Sequence, residues 1–234
     1  MSEMDGVKIE DGWQGPHYRN SPMLGFDRRK TLRHWGKRAF DISAAAMALV
    51  LLAPVFGLLA LLLKSMDKGP IFYSHQRVGL NGTRFGCLKF RTMRIDSAAR
   101  LKQLLEDDVA AREEWDATRK LKNDPRITTL GQVLRSTSLD ELPQLLNVLR
   151  GDMSLVGPRP ITADEMPRYG EYIGFYLAAR PGLTGKWQIS GRNDVSYDAR
   201  VKLDVEYYQT WSILNDFAII AKTVPILLSK RGSY

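Results

Sequence analysis

The sequence predicts a mainly α-helical protein with one small β-hairpin and one long apolar helix set apart from the rest. Three observations predict it. Residues 42–63 are apolar except for Ser43, Pro54 and Gly57. Two partly alternating stretches, 71–78 and 83–90, flank the turn-forming pair Asn81-Gly82. From Ser97 onward, segments of helical periodicity are separated by Gly, Pro and Asn breaks.

Residues 1–33 show no apolar periodicity. They carry Gly6, Gly12, Gly15, Pro16, Pro22 and Gly25, then the basic run Arg28-Arg29-Lys30, and read as a flexible cytosolic tail. The apolar stretch starts too far in for a cleavable signal peptide, and no small-residue cleavage site follows it.

As a straight helix, residues 42–63 would reach about 33 Å, enough to cross a bilayer core. One transmembrane helix is therefore the simplest reading. Pro54 argues against it, because it removes a backbone donor near the middle, and Ala53 before it is pushed from helical geometry. Basic residues also lie on both flanks: Arg33, Lys37 and Arg38 before, Lys64, Lys68, Arg77 and Arg84 after. A positive-inside bias would hold both ends on the cytosolic face, as a re-entrant hairpin requires. The residues alone leave both topologies open.

After the hairpin, residues 97–120 read as one exposed amphipathic helix, ended by Asn123-Asp124-Pro125. A short helix follows around 130–135. Ser138 is placed as an N-cap, with Glu141 completing a capping box, on a helix over 139–149 that Gly151 ends. Residues 162–179, 196–211 and 215–230 are further helices, the last apolar with Pro225 inside. Tyr207, Tyr208, Trp211 and Phe217 fit either a bilayer surface or simple core packing.

The formal net charge of +8 asks for an anionic partner: nucleic acid, anionic lipid or a phosphorylated substrate. Nucleic acid is not expected, since no recognition-helix motif or aromatic-basic platform is present. One cysteine, Cys87, excludes an intramolecular disulfide, and with His17, His34 and His75 it shows no metal-ligand spacing. Glycine patterns of kinases and dinucleotide-binding enzymes are missing. The pair Asp140-Glu141, alone, would be ordinary helix capping. It sits, however, among Lys89, Arg91, Arg94 and Arg135, the rigid Pro158-Arg159-Pro160, and Gly191-Arg192-Asn193. Guanidinium forks suit phosphate oxygens, and adjacent carboxylates suit Mg²⁺ bridging to phosphates. Together with a membrane anchor they point to a diphosphate substrate. The alternative from another class is a basic membrane-surface module without catalysis.

KRAFDIS, the apolar segment with Pro54, GPIFYSHQRVGLNG, KFRTM, RSTSLDELPQLLNVLRGDMSLVGPRP, RPGLTGKWQISGRN and LDVEYY follow one another in order. This series resembles the bacterial sugar transferase family, the monotopic polyprenyl-phosphate phosphoglycosyl transferases, from Lys37 to the C-terminus, about 85% of the chain. EEWDATRKL, CLKFRTM, QISGRNDVSY and the ending RGSY are most similar to succinoglycan-type exopolysaccharide priming enzymes that load galactose 1-phosphate.

The resemblance implies a re-entrant helix broken at Pro54, where Ala53 replaces the family's usual serine. It implies a membrane anchor over 34–68 and a compact catalytic domain over 69–234, on the cytosolic face of a bacterial inner membrane. Asp140 would be the nucleophile toward a UDP-sugar, expelling UMP, and undecaprenyl phosphate would then take the sugar phosphate. Glu141 would help hold Mg²⁺. Lys89, Arg91, Arg135, Arg159 and Arg192 would lie near the phosphates or nucleotide, and Asp204 matches a further acidic active-site position. The resemblance leaves galactose or glucose as the sugar and a homo-oligomer as an open question.

Overall fold

The computed structural model describes residues 35–66, 68–118, 121–191 and 195–228. The expected N-terminal tail, His17, His34 and Arg192 lie outside the described residues.

Helix α1 runs from Trp35–Met66, unbroken by a run of Ala and Leu with high helix propensity. Among the described residues it is the one helix long and apolar enough to cross a membrane, and only 11% of its most apolar window is buried. Val50 is 75% exposed and Leu61 71%, so an apolar face is left without protein cover. The expected break at Pro54 is not seen, for the helix continues through it. A proline inside a helix loses one bond and clashes with the preceding turn, which bends a long helix without having to end it. Both halves of α1 nonetheless pack on the same body. Ala45, Ala48, Leu49 and Leu52 meet Cys87, Val148 and Met153. Val55, Phe56, Leu59 and Leu63 meet Phe90, Leu134 and Leu142.

Strands β1 (Phe72–Val78) and β2 (Arg84–Phe90) form the antiparallel hairpin, with Tyr73 opposite Lys89. The connection is five residues, longer than a tight two-residue turn, with Asn81 and Gly82 both at positive φ. Behind β2 lies α5 (Gln144–Arg150), and Asn147 joins the two. Its fully buried amide accepts from Leu88 N at 2.9 Å and donates to Gly86 O at 2.8 Å, behaving as an extra strand residue. Arg38 of α1 donates to the carbonyls of Val148 and Leu149 at 2.6 and 2.9 Å. It thereby satisfies the C-terminal end of α5, which Gly151 closes at φ 95°.

The single exposed helix expected over 97–120 is two, α2 (Ser97–Asp107) and α3 (Val109–Thr118). Asp108 adopts extended geometry between them, and its carboxylate accepts from Ala111 N. Helix α4 (Thr129–Ser136) starts with Thr128 accepting from Gly131 N. Gly131 lies against the carbonyl of Thr92, where a Cβ would collide, and this contact seats α4 on the chain leaving β2.

Strands β3 (Ser154–Val156) and β4 (Gly182–Thr184) pair in parallel, a pair the periodicity does not show because each is only three residues long. Gly157 and Gly182 face each other so closely that a Cβ on either would strike backbone. Then come a 3₁₀ segment over Ala163–Tyr172 with a Thr162–Glu165 capping box, α6 (Ile173–Leu177), α7 (Tyr197–Gln209) and α8 (Ile213–Leu228). Tyr207 and Tyr208 are core residues, 1% and 7% exposed, so interior packing, not a bilayer surface, accounts for both.

Lys37 is buried too. Its ammonium lies 2.9 Å from both Asp41 and Asp216, themselves buried. Asp41 accepts from Ser154 Oγ at 2.8 Å, and Asp216 from Tyr207 and Trp211 at 2.9 and 3.1 Å. Lys37 and Arg38, part of the basic flank before the apolar segment, therefore join α1 to the rest of the protein through buried protein partners.

Candidate active site

The turn carrying the acidic pair departs from the expected capping box. Ser138 sits in the left-handed region at φ 57° and its side chain makes no cap. Leu139–Glu141 is a single 3₁₀ turn, and α5 begins only after Pro143, which has no N–H for an earlier helical bond. Left-handed geometry at a non-glycine residue costs roughly 1–3 kcal/mol, a cost that gathers at functional positions. Its consequence here is that Asp140 and Glu141 leave the helix axis and turn toward β2.

Lys89 on β2 meets them. Its ammonium lies 2.7 Å from a Glu141 oxygen and 3.5 Å from Asp140 Oδ2. Asp140 is 7% exposed. Burial pushes its carboxyl above the ordinary range; Lys89 and Arg135 pull it back and Glu141 pushes it further. Burial disfavours charge on Lys89, but Glu141 and Asp140 outweigh it and hold its pKa above normal. The carboxyl is thus desolvated yet beside the Lys89 ammonium and within reach of the Arg135 charge, the two influences opposing each other.

Arg135, at the end of α4, is half-buried and held by Thr92, whose Oγ1 accepts from its Nε at 2.9 Å. Burial lowers its pKa, with Asp140 and Asp124 opposing. Arg91 leaves β2 with its N–H on Ile71 O, and its guanidinium packs at Gly69. Asp140, Glu141, Lys89 and Arg135 therefore form one group.

Arg159 and Asp204 form a second group, with residues the motifs did not single out. The guanidiniums of Arg159 and Arg200 lie 5.4 and 4.7 Å from the Trp187 ring centroid. Asp204 is 4% exposed and accepts from Tyr169 Oη at 2.8 Å. Burial raises its carboxyl to about 7 against the pull of Tyr169, Arg159 and Arg200. Arg200 and Asp204 stand four residues apart on α7, a spacing that puts both on one face of the helix and brings both to this group. The buried Cys87 thiol of β2 is pushed up to about 11 by burial, against the pull of Lys89, Arg77 and Arg159.

Among the described residues no three His, Cys, Asp or Glu side chains gather to hold a metal by themselves. Glu141, its side chain 40% exposed and ion-paired with Lys89, is the kind of carboxylate that Mg²⁺ takes together with water and substrate phosphates.

Residues 32–230 match the family model described as Bacterial sugar transferase. The exopolysaccharide production protein ExoY of Sinorhizobium fredii is 54% identical over 198 residues, covering 85% of this chain and 88% of that protein. The undecaprenyl-phosphate galactose phosphotransferase of Salmonella typhimurium is 53% identical over 199 residues, 85% of this chain and 41% of the longer relative. The UDP-glucose:undecaprenyl-phosphate glucose-1-phosphate transferase of Caulobacter vibrioides is 41% identical over 207 residues, 85% and 72% of the two chains. With a buried Asp140 beside the Lys89 ammonium and a match to the family model over most of its length, the chain belongs to the bacterial sugar transferase family.

Proposed function

We propose that the protein transfers a sugar 1-phosphate, galactose or glucose, from a UDP-sugar to undecaprenyl phosphate at the cytosolic face of a bacterial inner membrane, as a first membrane step of exopolysaccharide synthesis. The observation that carries the reading is Asp140, buried and 3.5 Å from the Lys89 ammonium on a body that also seats an uncovered apolar helix. The relatives' names give the substrates.

In this mechanism an Asp140 carboxylate oxygen attacks the β-phosphorus. The bond from that phosphorus to the oxygen bridging to the α-phosphate breaks, and UMP leaves. An oxygen of the polyprenyl phosphate then attacks the same phosphorus and breaks the bond to Asp140, which returns as carboxylate. Lys89, Arg135 and Arg159 offset the charge on the phosphate oxygens. Glu141 would help hold Mg²⁺, which would supply further charge neutralisation when bound. Stretches of α1 on both sides of Pro54 pack on one body, which supports an anchor held along that body at the membrane surface.

The test is the nucleotide product. Full-length protein in lipid nanodiscs with Mg²⁺, undecaprenyl phosphate and UDP-galactose or UDP-glucose releases UMP if the reading holds. Release of UDP would mean attack at the sugar carbon and would overturn it.

A further inference from the structure

Around one cavity the buried polar atoms are left without partners among the described residues: Trp187 Nε1, Arg200 Nε and Asp204 Oδ1. Arg159, Ile161, Glu165, Tyr169 and Tyr197 complete its wall. Unpaired buried polar atoms are costly, and native proteins keep few of them. Three at one place, around room for a single water-sized group, mark a seat for a small polar group from outside the chain, a water until a substrate hydroxyl displaces it.

The chemistry of the three atoms narrows that group. Two are N–H donors. The third is a carboxylate oxygen whose twin already accepts from Tyr169. A phosphate oxygen only accepts, and would face the carboxylate. A cation would face the guanidiniums of Arg159 and Arg200. An apolar group satisfies none of them. A hydroxyl both donates and accepts, and so satisfies the carboxylate and a donor at once. The cavity has about 10 Å³ of room, the size of one such group.

We propose that Trp187, Arg200 and Asp204 form a hydroxyl-reading subsite for the sugar-nucleotide substrate, in which one substrate hydroxyl donates to Asp204 Oδ1 and accepts from the indole and guanidinium N–H groups. The inference rests on the proposed sugar-nucleotide reading. Tyr169 fixes the carboxylate, and the Trp187 ring lies against both guanidiniums, so the subsite is built before the substrate arrives. The hydroxyl belongs either to the hexose or to the ribose.

The experiment compares UDP-galactose with analogues that each lack one hydroxyl, on the hexose or on the ribose, using the full chain in nanodiscs. Wild-type protein is expected to lose roughly 10- to 100-fold in kcat/KM on one analogue, because the buried partners are left unpaired. The ring that carries the loss identifies the source. Asp204→Asn and Trp187→Phe are expected to lose a similar factor on UDP-galactose but little on that same analogue. Trp187→Phe keeps a ring for both guanidiniums, and so serves if Asp204→Asn does not fold. Equal losses on every substrate would reduce the three residues to a structural role and overturn the proposal. A wild type that releases UMP from none of the substrates would overturn the functional reading itself, and the subsite with it.

Discussion

The Lys37 ammonium at the start of α1 lies 2.9 Å from the Asp216 carboxylate near the start of α8. With Asp41 at the same distance, two buried acids share one buried base. Removing the base leaves two buried carboxylates without the ammonium they share. Lys37→Met is therefore expected to destabilise the protein by about 3–5 kcal/mol. Adding Asp216→Asn to it should recover part of the loss. Thermal unfolding of the purified variants checks both; additive losses would show that the pair does not interact.

The burial of Asp140 disfavours its charge, so the charge works against stability even as the mechanism uses it. Asp140→Asn is expected to abolish transfer while leaving the melting temperature unchanged or higher. A large drop in melting temperature would make the residue structural.

Lys89 pulls the Asp140 carboxyl down toward its ordinary range. Lys89→Met is expected to cost roughly 10²–10³ in kcat/KM, as for the loss of one charge-stabilising donor. It should also move the acidic limb of the pH–rate profile to higher pH, since attack needs ionised Asp140. A rate loss with no shift of that limb would place Lys89 on the substrate alone.

Asp204 has its carboxyl raised from 3.8 to about 7, so the folded state holds a proton that the unfolded chain releases. Its contribution to stability is complete below pH about 3.8 and is lost as pH rises toward about 7. Asp204→Asn is expected to flatten the pH dependence of stability across that window. Chemical denaturation at several pH values checks this, and an unchanged slope would contradict it.

Much of the site was legible because its motifs are local. Asp140 and Glu141 are neighbours, and Lys89 lies in a strand that alternation and Asn81-Gly82 mark. What the sequence hides depends on contacts across long separations. Nothing in Ser138 announces φ 57°; the capping pattern over Ser138–Glu141 fits local rules, and Pro143 together with the pull of Lys89 overrides it. Lys37 and Arg38 looked like flank charges because their partners, Asp216 and the α5 carbonyls, are far along the chain. The β3–β4 pair was invisible because three-residue strands carry no periodicity, and the Gly157–Gly182 contact shows only in three dimensions. At Pro54 the local rule favoured a break, and the packing of both halves of α1 keeps one continuous helix.

In the proposed reaction Asp140 itself becomes esterified. Intact-mass analysis of the full-length protein with Mg²⁺ and UDP-galactose, before any carrier lipid is added, reads this out. An adduct of one hexose phosphate is expected, mapped by peptide sequencing to Asp140, absent in Asp140→Asn and discharged by undecaprenyl phosphate. Full UMP release and carrier loading with no adduct, or loading by Asp140→Asn, would rule the ester out.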